Sequence, residues 1–266
     1  MADVPLLELK GLNKIYDNGF HAVKDVSFSV EAGILVGLIG PNGCGKSTMM
    51  KCINRLHSIT SGDVLVDGGS VKTSSHGELA RKIANVPAEL KASFGLSVFD
   101  TVMTGRYPYV TSLWWESEAD EDIVNDALKK FGVDHFADRQ LHMLSSGERQ
   151  RVLIAKAYVQ EPRLMLVDEP TSHLDMKYKL EVMEYLQYMV KKDMTILVAE
   201  HDISLMARYC DLCIIMKKGE IVAMGPPKEI ITSELIEQVY EVNASVGFDE
   251  SGELYVLPKR YRAKHE

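Results

Sequence analysis

One short stretch decides how this chain folds: Gly40-Pro41-Asn42-Gly43-Cys44-Gly45-Lys46-Ser47-Thr48. The apolar run Ile34–Ile39 precedes it, and helix-forming sequence from Met49 onward follows it. A glycine-rich loop between a strand and a helix can turn its backbone N–H groups toward phosphate oxygens, and the helix dipole adds to this attraction. Lys46 supplies a charge for the terminal phosphates, and the Ser47 hydroxyl supplies a ligand for Mg²⁺. The stretch therefore predicts a nucleotide site.

The composition narrows the class of protein. With 266 residues and a formal net charge of −8, the chain offers no positive footprint for a nucleic-acid backbone, so we expect no nucleic-acid partner. No apolar run reaches the roughly 18 to 20 residues that cross a bilayer, and residues 1–5 lack the layout of a secretion signal. We therefore expect a cytosolic protein that acts on any membrane process by docking onto a separate membrane-spanning chain.

The pattern along the chain predicts an α/β fold with three parts. The first 38 residues alternate β-like segments with turns, which indicates a small antiparallel sheet. After Pro162, short apolar strands alternate with helices, as in a parallel sheet that is covered on both faces. The predicted boundaries are a catalytic core over 1–87 and 162–241, a helical part over 88–161, and a short tail over 242–266.

A buried strand far downstream of the loop ends in two adjacent carboxylates, in Leu164-Met165-Leu166-Val167-Asp168-Glu169. Phosphoryl transfer needs such a pair. Asp168 at the strand end can hold the Mg²⁺ that Ser47 also ligates. Glu169 points elsewhere and can polarise the attacking water. This spacing adds a metal ligand and a general base to the predicted site.

Two further segments carry groups that suit an anionic ligand. His201 follows the apolar strand that ends at Ala199, and the carboxyl end of a parallel strand faces the crevice where ligands bind, so His201 can donate a hydrogen bond to the γ-phosphate. The segment Leu144-Ser145-Ser146-Gly147-Glu148 opens a helix. Its hydroxyls and glycine leave backbone N–H groups available to an anion, and Glu148 suits the helix dipole.

The order of these motifs resembles the ATP-binding cassette ATPases, over almost the whole chain to about Gly225. The shared features are the phosphate loop, the Leu-Ser-x-Gly-Glu segment, the strand that ends in Asp-Glu, Ser172-His173-Leu174-Asp175, and His201. The resemblance implies a three-layer P-loop NTPase core with an antiparallel β part and a helical part. It also implies an ATPase that uses ATP and Mg²⁺, with Lys46, Glu169 and His201 as its catalytic residues.

The resemblance further implies a homodimer. In that family two cassettes pair head to tail, and each ATP lies between residues 40–48 of one copy and the Ser145, Ser146, Gly147 and Glu148 segment of the other. Asp175 would bridge the two sites. Tyr16 matches the aromatic residue on which adenine stacks, a contact that suits the flat face of any purine.

The chain departs from the family pattern at three positions. Where the family has a glutamine that ligates Mg²⁺, this chain has Ala88 and then Glu89, and whether Glu89 takes the role stays open. Ser146 replaces a glycine, and His173 replaces a small residue. Because the base and the lysine remain, we expect hydrolysis to survive these changes.

The segment Gly105-Arg106-Tyr107-Pro108-Tyr109 resembles cassettes that serve iron-siderophore, haem and cobalamin importers. This branch implies a separate integral membrane permease, an extracytoplasmic solute-binding protein, and a peripheral position at the cytoplasmic face of the cell membrane. The alternatives are a cassette of another import system, a soluble cassette of DNA repair or translation, a P-loop GTPase or small-molecule kinase, and a regulatory cassette that binds ATP without hydrolysis. The transported solute is not encoded in these motifs.

Overall fold

The computed structural model describes residues 4–88, 95–110 and 117–259. Its strands are β1 (Leu7–Ile15), β2 (His21–Val30), β3 (Leu35–Ile39), β4 (Ser61–Val66), β5 (Gly69–Ser70), β6 (Ile83–Val86), β7 (Leu164–Asp168), β8 (Thr195–Glu200), β9 (Leu212–Lys217), β10 (Glu220–Gly225), β11 (Ala244–Phe248) and β12 (Leu254–Pro258). Its α-helices are α1 (Lys46–Ile53), α2 (His76–Lys82), α3 (Val98–Met103), α4 (Glu118–Lys130), α5 (Ser146–Val159), α6 (Met176–Val190), α7 (Ile203–Tyr209), α8 (Pro227–Ile230) and α9 (Ser233–Tyr240). Short 3-10 helices cover Thr104–Tyr109, Asp134–Phe136 and Leu141–Met143.

The central sheet has six strands in the order β10-β9-β3-β8-β7-β6. The strands from β9 to β6 run parallel, and β10 pairs antiparallel at one edge. Ile39 at the end of β3 lies beside Glu200 at the end of β8, and Asp168 at the end of β7 lies beside Ala199. This register brings the carboxyl ends of three strands, and the loops that follow them, to one edge of the sheet.

Two hydrophobic clusters sandwich this sheet and create the three layers. On one face, residues of α1 such as Met49 pack between the sheet and the four-stranded antiparallel sheet β2-β1-β4-β5. On the other face, residues of α5 and α6 pack against strand residues such as Val167 and Val198. The predicted fold class and the predicted antiparallel sheet are therefore confirmed.

The buried guanidinium of Arg106 links separate segments of the helical part. Arg106 donates from Nε to Asp120 at 2.8 Å, and from Nη1 to the Val159 carbonyl and to Glu161, each at 2.7 Å. Burial lowers the pKa of Arg106, but its hydrogen bonds to the two carboxylates, together with their negative charge, outweigh burial and raise that pKa. Arg106 thus ties the 3-10 helix that carries it to the start of α4 and the end of α5.

The C-terminal segment, predicted as a short tail over 242–266, contains a β-hairpin. β11 and β12 form an antiparallel hairpin, and the Val256 N–H donates to Ser204 Oγ on α7 at 3.0 Å. Ala244 and Leu254 are buried because alternate hairpin residues face the rest of the chain. Among the helices described, none combines the length and the apolar character needed to cross a membrane.

Candidate active site

The glycine-rich loop is held in shape by contacts within the chain. Lys46 is only 5% exposed, and its Nζ donates to the Gly40 carbonyl at 2.7 Å. Gly45 caps α1 with φ +110°, and a Cβ there would lie 2.4 Å from the Ala22 carbonyl oxygen. Cys44 is buried in the same loop, and burial raises the pKa of its thiol although Lys46 opposes the shift. The loop therefore presents a lysine, a neutral thiol and a helix N-terminus.

The predicted metal ligands, Ser47 and Asp168, are distant in sequence but form a hydrogen bond in the fold. Ser47 Oγ donates to Asp168 Oδ1 at 3.2 Å. Burial raises the pKa of Asp168, the Ser47 hydrogen bond opposes the rise, and the nearby Glu169 charge adds to it. A divalent cation between these oxygens would relieve that charge, and a hydroxyl with one carboxylate fits Mg²⁺, which takes few protein ligands and completes its shell with water and phosphate. In the described ranges no group of three or more His, Cys, Asp or Glu residues forms a fuller protein cage.

The predicted base and the predicted histidine form a direct pair. Glu169 Oε1 lies 2.7 Å from His201 Nε2. The Glu169 N–H donates to the Ala199 carbonyl at 2.9 Å, and Ser172 Oγ donates to Glu169 Oε2 at 3.3 Å. Glu169 has φ +47°, a left-handed conformation that non-glycine residues adopt rarely and at functional sites more often than elsewhere. Ser172, which sequence reasoning read only as part of a motif, contacts the base.

Tyr16 lies beside the end of the loop. Its hydroxyl is 3.0 Å from Thr48 Oγ1, and its ring lies nearly parallel to that of Phe20, with centroids 6.5 Å apart and 17° between planes. Phe20 is 55% exposed, a second flat apolar surface that sequence reasoning did not single out. The sequence could have indicated Phe20, because Tyr16 and Phe20 flank the turn between β1 and β2.

The Ser-Ser-Gly-Glu segment is built from local contacts. Ser145 and Glu148 form a capping box at the start of α5: the Glu148 N–H donates to Ser145 Oγ at 3.4 Å, and the Ser145 N–H donates to Glu148 Oε2 at 2.8 Å. The Ser145 N–H and the Ser145 hydroxyl both donate to the Glu148 carboxylate at 2.8 Å and lower the pKa of Glu148. Ser146 is exposed, whereas Gly147 is buried where a Cβ would lie 3.1 Å from the Tyr178 ring.

No hydrogen bond joins that segment to residues 40–48 within the described part of the chain. Tyr178 of α6 packs on Gly147 instead, and Asp175, the N-cap residue of α6, is exposed. His173 is exposed too, with φ +62°. One copy of the chain thus presents the loop and the Ser-Ser-Gly-Glu segment as separate features.

One departure from the family pattern lies near the end of β6. Ala88 is exposed just beyond this strand and offers no metal-ligating atom. Glu89 lies outside the described residues. In the Gly105–Tyr109 segment, the Tyr109 hydroxyl donates to the Gln160 carbonyl at 3.0 Å, while Tyr107 is 52% exposed. One tyrosine therefore anchors this 3-10 helix, and the other lies at the surface.

The fold and the site together define a class of protein. A phosphate loop after β3, an acid pair after β7, a histidine after β8 and a separate capped segment on a helical part are the arrangement of an ATP-binding cassette. The sequence profile of the ABC transporter family matches residues 23–172. The chain belongs to the ABC transporter family, which confirms the resemblance inferred from its motifs.

Curated relatives agree with this membership. The chain is 35% identical over 244 residues to the petrobactin import ATP-binding protein FpuD of Bacillus anthracis, covering 91% of this chain and 89% of that protein. It is 36% identical over 242 residues to the cobalamin import ATP-binding protein BtuD of Halobacterium salinarum, covering 90% of this chain. The chain spans 60% of the length of that second relative.

Solved structures show the same fold. A putative metal-chelate type ABC transporter in an inward-facing conformation superposes with a TM-score of 0.83 at 24% identity, covering 98% of this chain and 99% of that chain. A dimeric ATP-binding cassette in a post-hydrolysis state, bound to ADP and Pi, superposes with a TM-score of 0.75 at 29% identity, covering 83% of this chain and 98% of that chain.

Proposed function

We propose that this chain is the ATP-hydrolysing subunit of an importer that takes up a metal chelate of the iron-siderophore, haem or cobalamin type. One observation carries the ATPase assignment: two pairs of chemically matched side chains, Ser47 with Asp168 and Glu169 with His201, meet at one edge of the sheet beside the phosphate loop. The metal-chelate assignment is supported by the names of the relatives and by the Gly105–Tyr109 segment.

The chain's own residues supply the binding and charge stabilisation that phosphoryl transfer needs. Backbone N–H groups of the loop and of the first turn of α1 would surround the β- and γ-phosphates, and Lys46 would exchange its bond to the Gly40 carbonyl for the phosphate oxygens. Ser47 and Asp168 would hold Mg²⁺, which supplies charge neutralisation at the β- and γ-phosphates when it is bound. Residues 40–48 thus act as the nucleotide cradle.

Glu169 is placed to act on the attacking water. A carboxylate at the strand end can accept a hydrogen bond from water and take its proton as the new P–O bond forms. His201, 2.7 Å away, orients this carboxylate and can donate to the γ-phosphate when the ring turns toward it. The two residues therefore form one unit in which each fixes the other's geometry.

The site needs a second copy of the chain. The Ser145–Glu148 segment is exposed around Ser145 and Ser146 and does not bond to the phosphate loop of its own copy. In a head-to-tail homodimer it would close over the nucleotide of the partner, with Asp175 between the two sites. A related cassette solved as a dimer with ADP and Pi supports the pairing of two copies.

The dimer would act on a separate membrane permease from the cytoplasmic face of the membrane, with an extracytoplasmic solute-binding protein upstream. The names of the import ATP-binding relatives support a role in import, and the two partners are proposed from the family resemblance. Copurification with a co-expressed permease, together with chelate uptake that depends on Mg-ATP, tests this part of the proposal. A permease that fails to retain the chain would contradict it.

A mixing experiment tests the shared site. Lys46→Ala disables the phosphate loop and Ser145→Arg disables the opposite segment, so each variant alone should lack ATPase activity. Equal mixing of the two gives half heterodimers, each with one intact site, and should restore about a quarter of the wild-type rate. Mixing Lys46→Ala with a double Lys46→Ala/Ser145→Arg variant is the matched control and should restore none.

Two results would count against the proposal, and they separate its parts. Activity that stays absent in the mixture, although each variant folds, would contradict the shared site. Wild-type protein that binds Mg-ATP without releasing phosphate, alone and with its permease, would contradict the ATPase.

A further inference from the structure

A buried carboxylate next to the active site is not explained by binding of nucleotide or metal. Glu200, the last residue of β8, is 3% exposed. Its Oε1 accepts the Thr171 N–H at 2.8 Å, and its Oε2 accepts the His201 N–H at 3.1 Å. Within the described ranges no lysine, arginine or histidine side chain forms an ion pair with it. A buried polar side chain is costly unless it is hydrogen-bonded, and the two backbone N–H groups provide one bond to each Glu200 oxygen.

The first bond holds the turn that carries the base. This turn runs from Glu169 to Leu174 and is closed by the Ser172 N–H to the Glu169 carbonyl and by the Leu174 N–H to the Thr171 carbonyl, each at 3.2 Å. Glu169 and His173 both have left-handed backbones, with φ +47° and +62°. Such conformations persist only where the surroundings fix them. The Glu169 N–H joins this turn to β8 through the Ala199 carbonyl, and the Thr171 N–H joins it through the side chain of Glu200.

The second bond holds the histidine. Oε2 of Glu200 accepts the N–H of His201, the next residue, and so fixes the point where the chain leaves β8. The Glu200 carboxylate therefore connects the backbone of Thr171, in the turn that carries Glu169, with the backbone of His201. The Thr171 bond spans 29 residues of sequence.

Glu200 lies on the face of the sheet away from the nucleotide. Alternation along β8 places Glu200 with Ile196 and Val198, which pack in the cluster of α5 and α6. Asp168 lies on the opposite face, toward α1, where it accepts the bond from Ser47. Glu200 can thus affect hydrolysis only through the two loops that it ties together.

We infer that Glu200 is a positioning residue for ATP hydrolysis: its carboxylate fixes the turn of Glu169 against the backbone of His201 and so maintains the 2.7 Å contact between base and histidine. The inference rests on the proposed ATPase function. If Glu200 only stabilised the fold, other buried side chains that accept a backbone N–H would have the same effect. One such residue on the same strand serves as the control.

Thr195, at the other end of β8, is that matched residue. It is fully buried, and its Oγ1 accepts the Gly33 N–H at 2.8 Å. Glu200→Gln keeps the size of the side chain but replaces one acceptor oxygen with an NH₂ group that faces an N–H donor. Thr195→Val likewise removes one acceptor from one buried N–H. The two variants test the same loss at opposite ends of one strand.

The experiment measures thermal unfolding, kcat and KM for Mg-ATP in the full-length protein. We expect Glu200→Gln to lower kcat about tenfold with KM within about twofold, because a misplaced base slows the chemistry without weakening the loop's hold on phosphate. Thr195→Val should keep kcat within about twofold of wild type. If Glu200→Gln does not fold, Glu200→Asp, which keeps both oxygens on a shorter stem, should show the same fall in kcat.

A double-variant comparison separates positioning from general damage. In single-turnover assays, Glu200→Gln should lower the rate strongly when Glu169 is present and little in the Glu169→Gln background, since it acts through that base. Equal fold-losses in both backgrounds, or a loss matched by Thr195→Val, would overturn the inference. A wild-type protein without ATPase activity would instead overturn the proposed function, so the two failures are distinguishable.

Discussion

We propose that the edge of the central sheet and the Ser145–Glu148 segment serve the same reaction, but the contacts that form the two regions differ in sequence range. At the sheet edge, functional side chains are paired across long stretches of sequence: Ser47 and Asp168 are 121 positions apart. In the Ser145–Glu148 segment, the bonds of the capping box span three positions. The first region is assembled by the whole fold, whereas the second is a local feature that, in the proposed dimer, meets the nucleotide of the other copy.

A glycine in each region shows the same difference. A Cβ at Gly45 would meet the backbone carbonyl of Ala22 at 2.4 Å, and backbone in a sheet cannot move aside. A Cβ at Gly147 would meet the ring of Tyr178 at 3.1 Å, and a half-buried ring can shift by a few tenths of an ångström. The sheet edge is therefore rigid, and the Ser145–Glu148 segment can adjust.

The largest effect is expected at the sheet edge. Glu169→Gln should lower kcat about 10³-fold, because it removes the general base while leaving the phosphate loop intact. Nucleotide binding should persist, measured by calorimetry with Mg-ATP. Glu237→Gln, at an exposed glutamate of α9, is the control and should retain the wild-type rate. A Glu169→Gln variant with near-wild-type turnover would remove Glu169 from the mechanism.

Two alanine substitutions in the loop test its rigidity. Gly45→Ala should lower the free energy of unfolding by about 4 kcal/mol, because it combines a left-handed backbone with a clash against the Ala22 carbonyl. Gly43→Ala, with φ +75° but nothing within 4 Å of the added Cβ, should lower it by only about 1 kcal/mol. Denaturant titrations of both variants measure the difference. Equal losses would mean that the loop is not locked by the Ala22 carbonyl.

A smaller effect is expected in the Ser145–Glu148 segment. Gly147→Ala should change the free energy of unfolding by less than about 1 kcal/mol, since the Tyr178 ring can yield, but should lower ATPase activity about tenfold by displacing the start of α5. Tyr178→Leu in the same chain should recover part of this activity by making room. A loss of activity that Tyr178→Leu leaves unchanged would argue against the ring contact as the cause.

The smallest effect is expected at Ala88, the exposed residue beyond β6. Ala88→Gln should raise the ATPase rate of the chain with its permease about two- to threefold, because an amide oxygen there can join the hard oxygen ligands that Mg²⁺ prefers. Ala88→Leu adds similar bulk without the oxygen and serves as the control. Unchanged rates for Ala88→Gln in the reconstituted transporter would contradict this role.

Much of the fold could be predicted from the chain itself. The antiparallel sheet predicted in the first 38 residues is observed as β1 paired with β2, and the alternation of strands and helices predicted after Pro162 is observed from β7 to β9. These elements follow from periodic apolar residues and end signals, which act locally. The C-terminal hairpin was not foreseen, because β11 and β12 depend on packing against α7 as much as on their own short patterns.

The sequence motifs by themselves predicted the chemistry of the site. By residue type and spacing, a glycine-rich loop, a strand-end acid pair and a histidine after a buried strand predict the phosphate binding and hydrolysis that we propose, and the family membership agrees. Only the tertiary structure decided which groups contact one another: Ser47 with Asp168, Glu169 with His201, and Glu200 with Thr171. The physical reason is that residue type fixes what a group can bind, whereas the register of parallel strands fixes which distant groups reach hydrogen-bonding distance.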